Sequence, residues 1–472
     1  PVCTMLGSTP AASEKTPLVG PMASRASAVG FTAVMLSLCL IAKTCVDGAL
    51  AVDIDAIAQD THESAVLSDL PGTGTIMYIG GKVIGILFSS KMNGRILLSA
   101  VLFLGCCMAF IFTIGTAGSM FLAWYTWRLG SALTWPGVML VAVAWVDEQY
   151  LGRIAGGMGM SWELGLAISA GIYSLELQSD ASDAWKLPFF TAAAVTATVG
   201  CAVAVLLRAS AVAAGHRPPI LPDATGAGGK ASPGAPHPLD DATLGEALWA
   251  FVQMPISWLV LAGNAFFLAT FYVATYSPTF ATQALGASHS QGALLPVFMS
   301  FGSLLALGAG GIVFDRFTPT QRLRCVVISL FLSMLVSALI VTIYFAGGLT
   351  VGLLYFFYTL LGGTIAVPVY IATFRFYVTA GGPRHAGTLV NTHDCIGIST
   401  SALVQILAGH LLNDDKFGAW AVLLVTCLWL GAVSMGAFAY AFHRDETRAR
   451  AAVAAEAAAP SKGGGCFKLC GQ

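Results

Sequence analysis

Six ionisable side chains lie within long apolar runs of the chain: Lys43, Asp47, Lys82, Arg128, Glu163 and Asp394. A charge at bilayer depth is costly and persists where it is paired or functional, so these three cations and three carboxylates are the first candidates for chemistry. Cations so placed bind an anion, and carboxylates so placed can load and release protons. Lys43 and Asp47 are four residues apart and meet on one helix face, so Lys43 either binds an anion or is matched by Asp47 alone. Lys82 sits among Gly80, Gly81 and Gly85, which let neighbouring helices approach closely. It either faces a bound anion or snorkels to the membrane surface. Arg128, among Trp124, Tyr125 and Trp127, can be held by stacking and serve a carboxylate or phosphate group, or it can neutralise Glu163. His393, beside Asp394, is either a proton relay or a hydrogen-bonded structural residue. Neither a nucleophile and base cluster nor a metal-ligand spacing is visible, so an enzyme is not expected and no cofactor or metal site is expected either.

Such side chains need helices that cross a membrane to hold them. Of the 472 residues, 56% are hydrophobic and only 10% charged, against about 25% charged in soluble domains. Residues 247–314 and 325–374 carry no Asp, Glu, Lys or Arg, and each stretch is long enough for two spans of about 20 residues. Apolar runs between turn signals place spans at 28–50, 73–90, 96–116, 119–146, 152–176 and 187–207, then at 254–284, 291–313, 325–345, 350–377, 386–411 and 418–442. The expected fold is an all-α membrane protein of twelve transmembrane helices in two six-helix bundles. It divides into a tail (1–27), a first bundle (28–207), a flexible Pro/Gly/Ala-rich linker (208–246), a second bundle (247–442) and a second tail (443–472). With both termini cytoplasmic, most of the 23 basic residues fall on the cytoplasmic side, as basic residues of short loops do. Lys186 and Lys416 fall outside, and the outer loops collect acids such as Asp53, Asp55, Asp180 and Asp183. Net charge is −1, which gives no reason to expect nucleic acid; the lipid bilayer is the partner the composition implies. Most of the 11 cysteines lie in spans as small apolar residues, and Cys466 and Cys470 beside Lys468 make either an S-palmitoylation site or a plain tail. Pro136, Pro278 and Pro368 should kink their helices. Asn264, Tyr272, Tyr276 and Tyr358 are the polar groups of the second half suited to a hydroxyl-rich substrate.

The two halves repeat one another. Gly85 pairs with Gly311, Pro136 with Pro368, Arg153 with Arg384 and Glu163 with Asp394 at a nearly constant offset, the mark of a transporter built from duplicated bundles. On these landmarks the chain resembles the major facilitator superfamily over about residues 26–444. Its GxxxDR loop signature stands at Gly311 to Arg316, where the resemblance implies that Asp315 and Arg316 latch the cytoplasmic side. The first copy departs from the signature, with Ser89 and Ser90 where Asp and Arg are expected.

Within that superfamily WPGVMLVAVAW (135–145), GRIAG (152–156), Lys82 in YIGGKVIG, YSPTF (276–280) and PRHAGT (383–388) are similar to the organophosphate antiporter branch. In that branch a basic residue on the first span and an Arg on the seventh flank a central cavity and bind the substrate phosphate. Lys43 matches the first; Thr270 stands at the second, and Trp162 stands where the branch has a cavity His. The resemblance implies a secondary transporter of a small anionic metabolite, an organophosphate or sugar phosphate. Lys43, Lys82, Arg128, Trp162, Thr270 and Tyr276 would meet the substrate, and phosphate or a proton would be the coupled species; Glu163 and Asp394, with His393, either couple transport by exchanging protons or make symmetric packing and gate contacts. Proton-coupled symport of an organic acid or sugar, and a transport-inactive receptor or scaffold, are the competing readings.

Overall fold

The structure, a computed structural model, describes residues 24–52, 57, 64–88, 91–147, 150–176, 184–219, 237, 239, 241–274, 276–288, 291–292 and 294–458. Most of both tails, much of the linker, and Ser89, Ser90, Cys466 and Cys470 lie outside the described residues, as does the side chain of Tyr272. The first bundle consists of α1 (Arg25–Val52), α2 (Ser64–Phe88), α3 (Gly94–Phe112), α4 (Ala117–Ser131), α5 (Thr134–Trp145), α6 (Leu151–Glu176) and α7 (Leu187–Leu206). After the linker come α8 (Leu244–Gln253), α9 (Pro255–Ala274), α10 (Ser277–Leu285), α11 (Leu295–Arg316), α12 (Pro319–Phe345), α13 (Val351–Ala366), a π-helical segment (Val367–Ala372), α14 (Thr373–Asn413) and α15 (Phe417–Ala458). Among the described residues, eight helices are long and apolar enough to cross a bilayer alone, and α8 with the first part of α9, bent by 86°, is apolar enough as a pair, which counts as a ninth where the two are taken as one span. The other three of the twelve spans are α2, the α4–α5 pair and α6.

Proline accounts for the breaks. Its ring removes one hydrogen bond and crowds the carbonyl four residues earlier. Four residues before Pro136 is Ala132, where α4 gives way to α5; four before Pro278 is Ala274, where α9 ends. Pro368 lies inside the π-helical segment, the third interruption. The spans expected at 350–377 and 386–411 join through one kinked helical run, turned at Gly382, whose φ of +58° and ψ of −167° suit glycine alone. Two elements differ from the sequence-based expectation. The residues around the boundary expected at 246 form α8, started by a capping box of Thr243 and Glu246 and set at 86° to α9. The last helix also runs past 442 to Ala458, through an Ala-rich stretch of high helix propensity.

Phe331, Phe345 and Val433 are each 64% exposed on the outer surface, as lipid-facing residues are. The bundles meet where α2 and α5 cross α14 and where α6 crosses α11. At the α6–α11 crossing the backbones touch: a methyl on Gly156 would lie 2.6 Å from the Leu307 carbonyl oxygen, and one on Gly311 2.8 Å from that of Gly152. This crossing lies toward the face on which α1 begins, called the terminal face below. There Asp315 at the end of α11 accepts hydrogen bonds from the Gly152 (2.7 Å) and Arg153 (3.0 Å) amides at the start of α6 and pairs with the Arg153 guanidinium at 3.6 Å. The carboxylate thereby caps a helix N-terminus of the opposite bundle.

Candidate functional site

A cavity of about 220 Å³ lies between the bundles. The first bundle supplies Lys43 and Asp47 from α1, Tyr78 from α2, Arg128 from α4, Trp135 from α5 and Trp162 from α6. Across from them, α9, the π-helical segment and α14 supply a wall that is mostly aromatic and aliphatic, together with Asn264, Thr373, His393 and Asp394.

The cations are held by rings and carboxylates. Lys43 is 1% exposed, donates to Asp47, and its Nζ lies 3.8 Å from the Trp162 ring centroid. Asp47 also accepts from Trp127 Nε1 at 2.9 Å and pairs with Arg128 at 3.5 Å. Two cations therefore share one carboxylate. The Arg128 guanidinium stacks 4.5 Å from the Tyr78 ring, and its Nε has no hydrogen-bond partner among the described residues. Lys82 is fully buried and donates to Asp394 at 2.6 Å across the bundle boundary, with its Nζ 5.3 Å from Tyr78. Lys43 Nζ lies 5.7 Å from the same ring, so a single tyrosine faces three cations, an arrangement worth about 0.5–2 kcal/mol per contact.

Several expectations change with these positions. Arg128 pairs with Asp47 and not with Glu163, because α4 packs against α2 while Glu163 on α6 faces α11. Glu163, 6% exposed, accepts from Ser300 Oγ at 2.5 Å and has no ion pair among the described residues. Although Glu163 and Asp394 hold matching repeat positions, one faces a serine and the other a lysine. Lys82 does not snorkel; its amine turns inward to Asp394. Thr270 and Tyr276 do not line the cavity: the Thr270 hydroxyl donates back to Phe266 O at 2.9 Å, and Tyr276 stands at the start of α10, past the break. Tyr358 is buried in α13, off the cavity, whereas Asn264 does line it. His393 is 5% exposed and its Nδ1 shares a hydrogen bond with the Tyr377 hydroxyl. Arg316 is exposed beside Asp315. Tyr78 was absent from the sequence-based set although its spacing of four from Lys82 places both on one face of α2. Ser300 and Tyr377 carry no local signal of this kind.

Two six-span bundles enclosing a central charged cavity define a polytopic integral membrane transporter. The Major Facilitator Superfamily model matches residues 36–402, and the chain belongs to that superfamily. It is a transporter, not an enzyme. Among solved structures, it is similar to the human organic anion transporter MFSD10 (TETRAN), at 15% identity and a TM-score of 0.62 over 87% of this chain and 100% of that one. It is also similar to the E. coli fucose:proton symporter FucP, at 13% identity and a TM-score of 0.64 over 88% and 99%. The proton:xylose symporter XylE is 12% identical, with a TM-score of 0.65 over 89% and 96%. At these identities the likeness is one of fold. No match was found among curated protein sequences.

Proposed function

We propose that the protein is a secondary transporter that carries a small organic anion across its membrane by alternating access. One observation carries the proposal: Lys43 and Arg128 share the single carboxylate of Asp47 on the cavity wall, which leaves one positive charge to be matched where water is scarce. Lys43 over Trp162 and Arg128 over Tyr78 hold the anion. Lys82 and Asp394 close the bundles beneath it, and Asp315 latches them at the terminal face. With both termini cytoplasmic, as the basic residues on the terminal face support, this conformation is closed toward the cytoplasm. The likeness to organophosphate antiporters makes phosphate esters the first substrates to examine, although Thr270 supplies no second cation from the opposite bundle.

Proton coupling is a second reading, favoured by Glu163. Its carboxyl meets a serine of the opposite bundle and, among the described residues, no cation, so it is placed to exchange a proton as the bundles part. Uptake into proteoliposomes tests both. Exchange requires a counter-anion preloaded on the far side, and symport requires an imposed proton gradient. Lys43→Ala should abolish anion-dependent thermal stabilisation as well as uptake. An unchanged response to anions in that variant would refute the proposed site.

A further inference from the structure

We infer that the transported anion is amphiphilic: one carboxylate on a compact aromatic or branched apolar body, in preference to a phosphate ester or a sugar. The inference rests on the anion reading above and narrows it. Charge is the first ground. Lys43, Arg128 and Asp47 together carry one uncompensated positive charge, and Lys82 with Asp394 carries none. Glu163 turns to Ser300 and is not part of the wall. A monoanion brings the cavity to neutrality; a phosphate dianion would leave an excess negative charge in a site that opposes it.

The opposite wall is the second ground. Leu268, Phe271, Phe374, Val390 and Ile398 offer carbon to whatever the cations hold. Three of the polar side chains there are already engaged within the protein. Asn264 Nδ2 donates to His393 O at 3.4 Å, the Thr373 hydroxyl donates to Val369 O, and the Tyr377 hydroxyl is hydrogen-bonded to His393 Nδ1. A sugar placed against this wall would bury hydroxyls with few partners, and each group left unsatisfied opposes binding. An aromatic ring would lose nothing. Size is the third ground. An apolar cavity of about 150 Å³ accommodates benzene, and the 220 Å³ here leaves room for a ring, a carboxylate and a short connection.

Thermal stabilisation and counterflow by the full-length protein in proteoliposomes test the inference with acetate, benzoate, phenylacetate, inorganic phosphate, glycerol-3-phosphate, xylose and benzyl alcohol. Phenylacetate or benzoate should act at a concentration at least about tenfold below glycerol-3-phosphate, the discrimination that a few apolar contacts give, and benzyl alcohol should fail for lack of charge. Phe271→Ala and, as a milder variant, Ile398→Thr should weaken phenylacetate about tenfold while weakening acetate far less. Arg128→Lys should weaken both acids equally. A phosphate ester that outcompetes the aromatic acids would overturn the inference and leave the anion reading intact. Equal losses for phenylacetate and acetate in the two apolar variants would overturn it in the same way. A response to xylose with none to any anion would overturn both.

Discussion

Asp394→Asn isolates the work of the cross-bundle ion pair. Lys82 is fully buried and Asp394 is its ion-pair partner, so the substitution leaves an ammonium beneath the cavity with a neutral amide in place of its counter-charge. Removing one member of a fully buried pair costs about 3–5 kcal/mol. The Asp394 side chain keeps 24% exposure, and solvent there lowers the figure to about 2 kcal/mol. That loss falls on the conformation in which the bundles touch, because once they part, Lys82 can meet water. At 1.4 kcal/mol per tenfold change, the closed conformation loses about 30-fold in population relative to the open one, so a ratio near 100:1 falls to about 3:1. Spin labels at exposed Lys91 and Thr320, one on each bundle at the terminal face, report this as a second, longer distance in a double electron–electron resonance experiment. Lys82→Met combined with Asp394→Asn removes the orphaned charge and should return most of the short distance. An unchanged distribution in the single variant would show that the pair does not hold the bundles together.

Gly156→Ala places a methyl 2.6 Å from the Leu307 carbonyl oxygen; about 1–3 kcal/mol of overpacking should lower the melting temperature in detergent and lengthen the same label distance. Asp315→Asn weakens the cap on α6 and the contact with Arg153, a loss of about 1 kcal/mol, and should raise the longer-distance fraction between spin labels at Lys91 and Thr320. Trp162→Leu removes the ring beneath Lys43, worth about 1 kcal/mol, and should raise the anion Kd about fivefold in a titration that follows thermal shift. Arg128→Lys retains the charge but loses the planar fork that Tyr78 stacks against, and uptake should fall at least tenfold with expression unchanged.

Much of the fold is legible in hydropathy because a span must satisfy its backbone internally, which leaves helices as the economical choice for apolar runs of this length. Pro136 and Pro278 mark their breaks through the carbonyl four residues earlier, a purely local effect. The short helix α8 escapes notice because its ten residues straddle the boundary expected between linker and second bundle and precede the apolar run of the next span, so they look like connection until the Thr243–Glu246 box is read. The site was legible in its inventory and not in its pairings. Lys43 and Asp47 lie four residues apart on one helix, so their contact follows from helical pitch. Lys82 and Asp394 are 312 positions apart, and only the packing of α2 on α14 decides that they meet. The same packing sends Arg128 to Asp47 and leaves Glu163 to a serine, outcomes no pattern along the chain distinguishes from the reverse. Thr270 and Tyr276 occupy spans that reach the cavity, yet a helical rotation and a proline break carry their hydroxyls away from it.

The contact between Gly152–Gly156 and Leu307–Gly311 makes the two bundles touch through main-chain atoms, with few side-chain knobs to withdraw when they separate. Interdigitated leucines would have to cross rotamer barriers one after another, whereas two smooth backbone ridges roll apart with little internal friction. The grip at that face then resides in Asp315 with its amides, and deeper in, where α2 crosses α14, in Lys82 with Asp394; both hold at short range and lose strength steeply as water enters. Such a joint opens abruptly instead of stretching, so the protein should dwell in discrete conformations and pass between them quickly.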